Sequence, residues 1–204
     1  HRINEILLPA IGTVLLGGII TVMAFQILFR LGKFDKTNAV AIATHYGSVS
    51  AVTFAVVLNY LQDRSVPYEK YVTVLLVLLE IPSIAVGIFM AKWNNRESGF
   101  DLKKIFHEVF LGKTIILLIG GLFIGLATAY TGNKQLNFFF FDLFKGFLAI
   151  FMLEMGVVAS QRFPDLKKVG PFLILFGIGM PVLSAMTGIG IAMITGLSAG
   201  GAIV

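Results

Sequence analysis

Six apolar runs, over residues 7–31, 37–61, 71–93, 114–130, 137–161 and 171–195, restrict the possible folds of this chain more than any motif does. Each has roughly the length of 17–25 residues that a helix needs to cross the hydrocarbon of a bilayer. With 57% hydrophobic and only 13% charged residues, the chain has too little polar surface for a soluble domain. The fold class expected is therefore an all-α integral membrane protein, a polytopic helix bundle. There is no cysteine, which removes disulfides, thiolate metal sites and cysteine nucleophiles. The net charge of +5 does not point to nucleic acid, because the basic residues sit in short loops between apolar runs. The chain opens on His1 without a signal-peptide layout and reads as a fragment of a longer protein.

The most unusual stretch lies inside the second run. Residues 43–53 read Ala-Thr-His-Tyr-Gly-Ser-Val-Ser-Ala-Val-Thr, in the middle of an otherwise apolar segment. In lipid every backbone polar group needs a partner, so a polar, glycine-containing patch at this depth must face protein or a water-filled cavity. In transporters such patches mark discontinuous helices whose free N–H and C=O groups bind ions near the midplane. The bland alternative is a continuous helix whose Ser and Thr bond back to their own carbonyls. In the first run, Gly17-Gly18 would let another helix approach closely. In the third, Glu80-Ile81-Pro82 interrupts the apolar pattern, so Glu80 must reach a cavity or pair with another helix.

Residues 94–104 are polar and charged, and residues 101–110 read as a short amphipathic helix at the interface. The expected organisation is residues 1–93 as one set of spans, 94–113 as linker and interfacial helix, and 114–204 as a second set. The fifth run carries Asp142, Lys145 and Glu154, with Asp142 and Lys145 spaced to pair at a helix end. Residues 163–168 read as a basic loop. Counting Lys and Arg on alternate sides gathers Arg30, Lys33, Lys36, Lys92, Arg96, Lys103, Lys104, Lys113, Arg162, Lys167 and Lys168 on one side, which the positive-inside rule makes cytoplasmic. Leu8-Pro9-Ala10-Ile11-Gly12 and Gly170-Pro171-Phe172-Leu173-Ile174 open runs separated by an odd number of crossings, so a repeat containing them would be inverted.

These residues resemble the bacterial sodium-dependent bicarbonate transporters. The resemblance is carried by His45-Tyr46-Gly47-Ser48-Val49-Ser50-Ala51-Val52-Thr53, by Tyr68-Glu69 with Leu79-Glu80-Ile81-Pro82, and by Phe141-Asp142-Leu143-Phe144-Lys145-Gly146 with Met155-Gly156. It covers essentially the whole chain but only the middle of the family's pattern, which implies two inverted five-helix repeats with flanking helices absent here. It further implies sodium-coupled bicarbonate uptake by an elevator-type homotrimer in the bacterial cytoplasmic (inner) membrane. Under it, Gly47, Ser48, Val49, Ser50 and His45 are expected to bind the anion, and Ser50 and Thr53 the sodium ion. Gly47, Ser50 and Thr53 match the family's broken-helix motif. Ser48 stands where many members have alanine, and Glu80 replaces an aspartate. Glu80, Pro82, Asp142, Lys145 and Glu154 are read as gating or structural. A cytoplasmic regulator of the PII type is implied as a partner, docking on the basic cytoplasmic positions, alongside membrane lipid. No cofactor beyond the coupling sodium ion is implied.

The physics of such a site is independent of the family. Sodium takes oxygen ligands from freed carbonyls and hydroxyls, and an oxyanion suits the N–H groups at a half-helix N-terminus. Enzyme readings lack support: the chain has no HExxH, GxSxG or Walker motif. The rivals are a sodium- or proton-coupled carrier of another small anion and a non-transporting membrane assembly protein. Proton exchange would need a titratable pair in the core, for which Glu80 and Glu154 are the candidates.

Overall fold

The computed structural model describes residues 3–92, 113–131 and 143–204, apart from the side chains of Lys145, residues 165–169 and a few at helix ends. Asp142, the linker expected from residue 94 and the interfacial helix expected over residues 101–110 lie outside the described residues. The described elements are helical: α1 (Ile3–Gln26), α2 (Lys36–Tyr46), α3 (Ala51–Asp63), α4 (Val72–Lys92), α5 (Lys113–Thr131), α6 (Leu143–Thr195) and α7 (Ala199–Ile203). The chain forms two compact units, one of His1–Leu118 with Ile178–Val204 and one of Ile119–Gly177.

Five segments are long and apolar enough to cross a membrane: Glu5–Leu31, Lys36–Asp63, Val72–Lys92, Gly146–Pro164 and Gly170–Thr195. The apolar stretch Ile115–Ala127 lies within α5, which runs over Lys113–Thr131. Side-chain placement agrees with lipid as the solvent. Leu7, Leu8, Ile11, Leu15 and Ile19 point outward from α1, while the buried polar side chains of the first unit include Thr21, Glu80 and Ser83. A water-soluble domain has the reverse pattern. The protein is a multi-pass helical membrane protein.

In the first unit α4 packs along α1 and α2. Small residues set the spacing, as expected from Gly17-Gly18. A Cβ on Gly17 would lie 2.9 Å from the Leu79 carbonyl oxygen and 3.1 Å from Ser83 Oγ, so α1 and α4 touch almost backbone to backbone. At the far end of α4, a Cβ on Gly87 would collide with Thr44 Oγ1 of α2. The end of α1 widens into a π-helix over Ile27–Leu31, closed by Gly32 N–H donating to the Ile27 carbonyl at 3.0 Å. Asp35 then starts α2 as its N-cap. The Asn38 backbone N–H and side-chain amide donate to it at 3.0 and 2.7 Å and hold its carboxyl below the ordinary aspartate range. Pro82 does not interrupt α4, which runs continuously from Val72 to Lys92.

One expectation is overturned. Residues 163–168, read as a basic loop, are helical, and α6 is interrupted only at Gly170, with φ 78° and ψ 161°. Leu166, Lys167 and Lys168 are good helix formers, so charge alone does not end a helix, and the helix accommodates Pro164. Gly170 supplies a left-handed φ that a residue with a Cβ adopts only at a cost.

Candidate functional site

The second span is two helices with a break at residues 47–50, and the local sequence accounts for each side of it. Gly47 is the C-cap of α2, its N–H donating to the Ala43 carbonyl at 3.3 Å. Ser50 takes extended φ and ψ (−76°, 119°) as the N-cap of α3, and its Oγ accepts from the Thr53 N–H at 3.4 Å. Thr53 Oγ1 donates to the Ser50 carbonyl at 2.9 Å. The N–H groups of Val49, Ser50, Ala51 and Val52 donate no hydrogen bond among the described residues. The break thus sets the partially negative C-terminus of α2 beside the partially positive N-terminus of α3.

Two side chains from one face of α4 hold the break in place. Ser83 Oγ donates to the Gly47 carbonyl, and Ser48 Oγ donates to Glu80 Oε2. Both α4 residues are buried, Ser83 completely. Thr21 of α1 completes the packing: it is fully buried, and its Oγ1 donates to the Gly17 carbonyl at 2.8 Å, directly against Gly47. Glu80 therefore solves its cost in the membrane by accepting from the break. Ser83→Ala is expected to lower stability by about 1–2 kcal/mol, because the Gly47 carbonyl loses a buried donor. Thermal unfolding in detergent measures it, and a melting temperature equal to that of the unaltered protein would contradict the arrangement.

A cavity of about 530 Å³ in the first unit opens against the break. Tyr46, Gly47, Ser48 and Val49 line one wall, α1 and α4 contribute others, and the last turns of α6 with residues 201–204 close it. The C-terminal wall is fixed by Glu69, whose carboxylate accepts from the Ser198 N–H at 2.7 Å and from Ser198 Oγ at 3.1 Å. Ser198 Oγ in turn accepts from the Gly201 N–H at 3.1 Å.

The structure brings Gly47, Ser48, Val49 and Glu80 together and separates others. His45 faces away, lining a second cavity of about 400 Å³ with Lys36, Thr37 and Thr44 between α2 and α4. Ser50 and Thr53 are exposed beside the break and line neither cavity. Pro82 lies inside α4, two residues beyond Glu80. Glu154 is exposed on α6 in the second unit and Glu80 is buried in the first, so they form no core pair within either unit. Asp142 lies outside the described residues, as does the Lys145 side chain. No cluster of three or more His, Cys, Asp or Glu occurs among the described residues. Sequence reasoning missed Thr21, Ser83 and Ser198, each a lone hydroxyl in an apolar setting. Their only signal was proximity in sequence to Gly17-Gly18, Glu80 and Gly200-Gly201.

Compared with known proteins, residues 1–204 match the family model of the Na+-dependent bicarbonate transporter superfamily. Over a shorter stretch the chain is similar to the fluoride-specific ion channels FluC of Acinetobacter baumannii strains AYE, AB307-0294 and AB0057. Each is 36% identical over 55 residues, 27% of this chain and 44% of the channel. The chain thus spans less than half the length of these curated relatives.

Proposed function

Because the chain belongs to the Na+-dependent bicarbonate transporter superfamily, we propose that it takes part in sodium-coupled uptake of bicarbonate across the bacterial inner membrane. The observation that carries the reading is the break at residues 47–50, opening on a cavity inside a membrane span. The anion sits at the N-terminus of α3, where the N–H groups of residues 49–52 are left to donate to it. Sodium takes carbonyl oxygens at the end of α2 and the hydroxyls of Ser50 and Thr53. Glu80, one hydrogen bond from Ser48, raises the local affinity for a cation and opposes an anion that arrives alone. A bound sodium ion removes that opposition, so each ion raises the affinity of the other by the same factor. His45, on the opposite side of α2, orders the helix end and does not touch the anion in this arrangement.

The complete protein works as an elevator-type homotrimer of two inverted repeats, set in membrane lipid. A repeat is supported by a recurring order: a long helix, a turn, then a helix capped by a side chain, Asp35 for α2 and Ser198 for α7. A PII-type regulator docks on cytoplasmic basic residues, Lys33 and Lys36 among them. The test is uptake of labelled bicarbonate into proteoliposomes holding the complete protein. Sodium-gradient-dependent accumulation is expected, reduced at least tenfold in Ser50→Ala, with fluoride as a competing anion. Equal uptake with and without a sodium gradient would sink the coupling. Fluoride flux without bicarbonate flux would move the substrate to another small anion.

A further inference from the structure

Most threonine hydroxyls inside the described spans bond back to their own helix. Thr13, Thr21, Thr44, Thr187 and Thr195 each donate to the carbonyl four residues earlier, at distances from 2.8 to 3.0 Å. Ser83 adds such a bond, at 3.2 Å, to the one it makes with Gly47. This is how a hydroxyl is normally accommodated in lipid. Ser184 makes no such bond. Its Oγ is shielded from solvent and has no hydrogen-bond partner among the described residues, although the Met180 carbonyl lies one turn back on the same helix. A shielded hydroxyl without an acceptor is unfavourable, and such groups call for an explanation.

The position of Ser184 supplies one. Ser184, Gly188, Ile191 and Thr195 follow the spacing of one helix face, and all four line the cavity that opens on the break. Three further hydroxyls of the cavity are engaged: Thr13 and Thr195 with their own helices, Ser48 with Glu80. Beside Ser184 the wall is made of small or aliphatic residues, Ala185, Gly188 and Ile189, which leave room but offer no oxygen for a metal ion. Ser184 borders the cavity while its Oγ is turned away from it, and a rotation about χ1 suits the uncommitted O–H to donate to a ligand that accepts.

We infer that Ser184 is a specificity-determining residue that donates a hydrogen bond to the transported oxyanion from the wall opposite the broken helix. The inference rests on the anion-binding reading of the break given above. A bicarbonate ion carries several acceptor oxygens and can take hydrogen bonds from both walls at once. A monatomic anion such as fluoride offers a single centre and gains less from a second, separate donor. Ser184 thus favours bicarbonate over a halide in a cavity that contains few other polar groups.

The test uses the complete protein in proteoliposomes and in detergent. Ser184→Ala is expected to raise the KM for bicarbonate about tenfold at saturating sodium, the effect of one lost hydrogen bond, and to narrow the preference for bicarbonate over fluoride. The KM for sodium at saturating bicarbonate should change less than about twofold, since the contact is to the anion. A second readout is independent of transport. Removing an unpaired hydroxyl should leave the melting temperature of the bicarbonate-free protein unchanged or raised, while the rise induced by bicarbonate shrinks. An unchanged KM for bicarbonate, or a melting temperature that falls equally with and without bicarbonate, would overturn the inference while leaving the break as the site. Absence of sodium-dependent bicarbonate flux and of any bicarbonate-induced melting shift in the unaltered protein would overturn the functional reading itself, and Ser184's role with it.

Discussion

Gly47→Val is expected to abolish the proposed transport and to prevent stable folding of the first unit, and Gly47→Ala alone to lower stability by about 2–3 kcal/mol. Even a single added methyl has no place to go. A Cβ at Gly47 would collide with Thr21 Oγ1 and would lie 2.7 Å from Ser83 Oγ and 2.9 Å from the Gly17 carbonyl oxygen. Neither hydroxyl is free to swing away, because Thr21 is bonded to the Gly17 carbonyl and Ser83 to Gly47 itself. The Gly17 carbonyl belongs to a helix already in near contact with α4. Relief must come from moving α1 away from the break, which opens the cavity wall that α1 supplies. The neighbour that stands closest, Thr21, gives a specific check. Thr21→Ala should recover part of the loss in the Gly47→Ala background while costing stability on its own, an interaction of roughly 1 kcal/mol or more in a double-mutant cycle. Thermal unfolding and uptake of all four proteins measure it. Strict additivity, or a Gly47→Ala protein that melts and transports normally, would mean that the three segments do not meet as described.

The break itself was legible in the sequence, because a run of apolar residues that pauses for His-Tyr-Gly-Ser-Val-Ser has few ways to satisfy its backbone in lipid. Glycine followed two and three residues later by Val49 and Ser50 contains both the stop and the new N-cap. The close approach at Gly17 was legible for a similar reason: a missing side chain invites a neighbour. Which neighbour it was could not be read, since helix-to-helix pairing depends on tertiary packing rather than on local pattern. For the same reason the pairing of Glu80 with Ser48 was foreseen only as a need for some partner.

His45 illustrates where sequence proximity misleads. It is three residues from Ser48, a spacing that shares a face in a continuous helix, but α2 ends at Tyr46 and the chain turns before Ser48. The residues fall on different cavities as a result. Residues 163–168 show the opposite error, in which charged residues suggested a loop although Leu166, Lys167 and Lys168 favour a helix and Pro164 is accommodated within it. Ser184 carried no signal at all, because a lone serine among apolar residues is usually bonded to its own helix. Only the placement of its oxygen distinguishes it from Thr187, three residues further on.

Glu80→Leu is expected to lower stability by about 2–3 kcal/mol and to eliminate sodium-driven uptake, whereas Glu80→Gln separates those two effects. Glu80 is only 8% exposed, and its described partner is the Ser48 hydroxyl on the opposing segment. Leucine removes the acceptor and leaves Ser48 unpaired. The break is then held from α4 by Ser83 alone, through the Gly47 carbonyl. Glutamine keeps an oxygen of similar reach, so the hydrogen bond from Ser48 survives and the melting temperature should stay near that of the unaltered protein. What glutamine removes is the capacity to carry negative charge. Without it, a sodium ion near the break loses an attractive neighbour in a medium of low dielectric, and the KM for sodium should rise about tenfold or more. The anion alone would meet less repulsion, so the dependence of bicarbonate affinity on sodium concentration should flatten. Measuring bicarbonate KM across a series of sodium concentrations in both proteins decides the matter. A Glu80→Gln protein with unchanged sodium dependence would make Glu80 a purely structural acceptor. A Glu80→Leu protein that melts like the unaltered one would show that the break stands without its bond to α4.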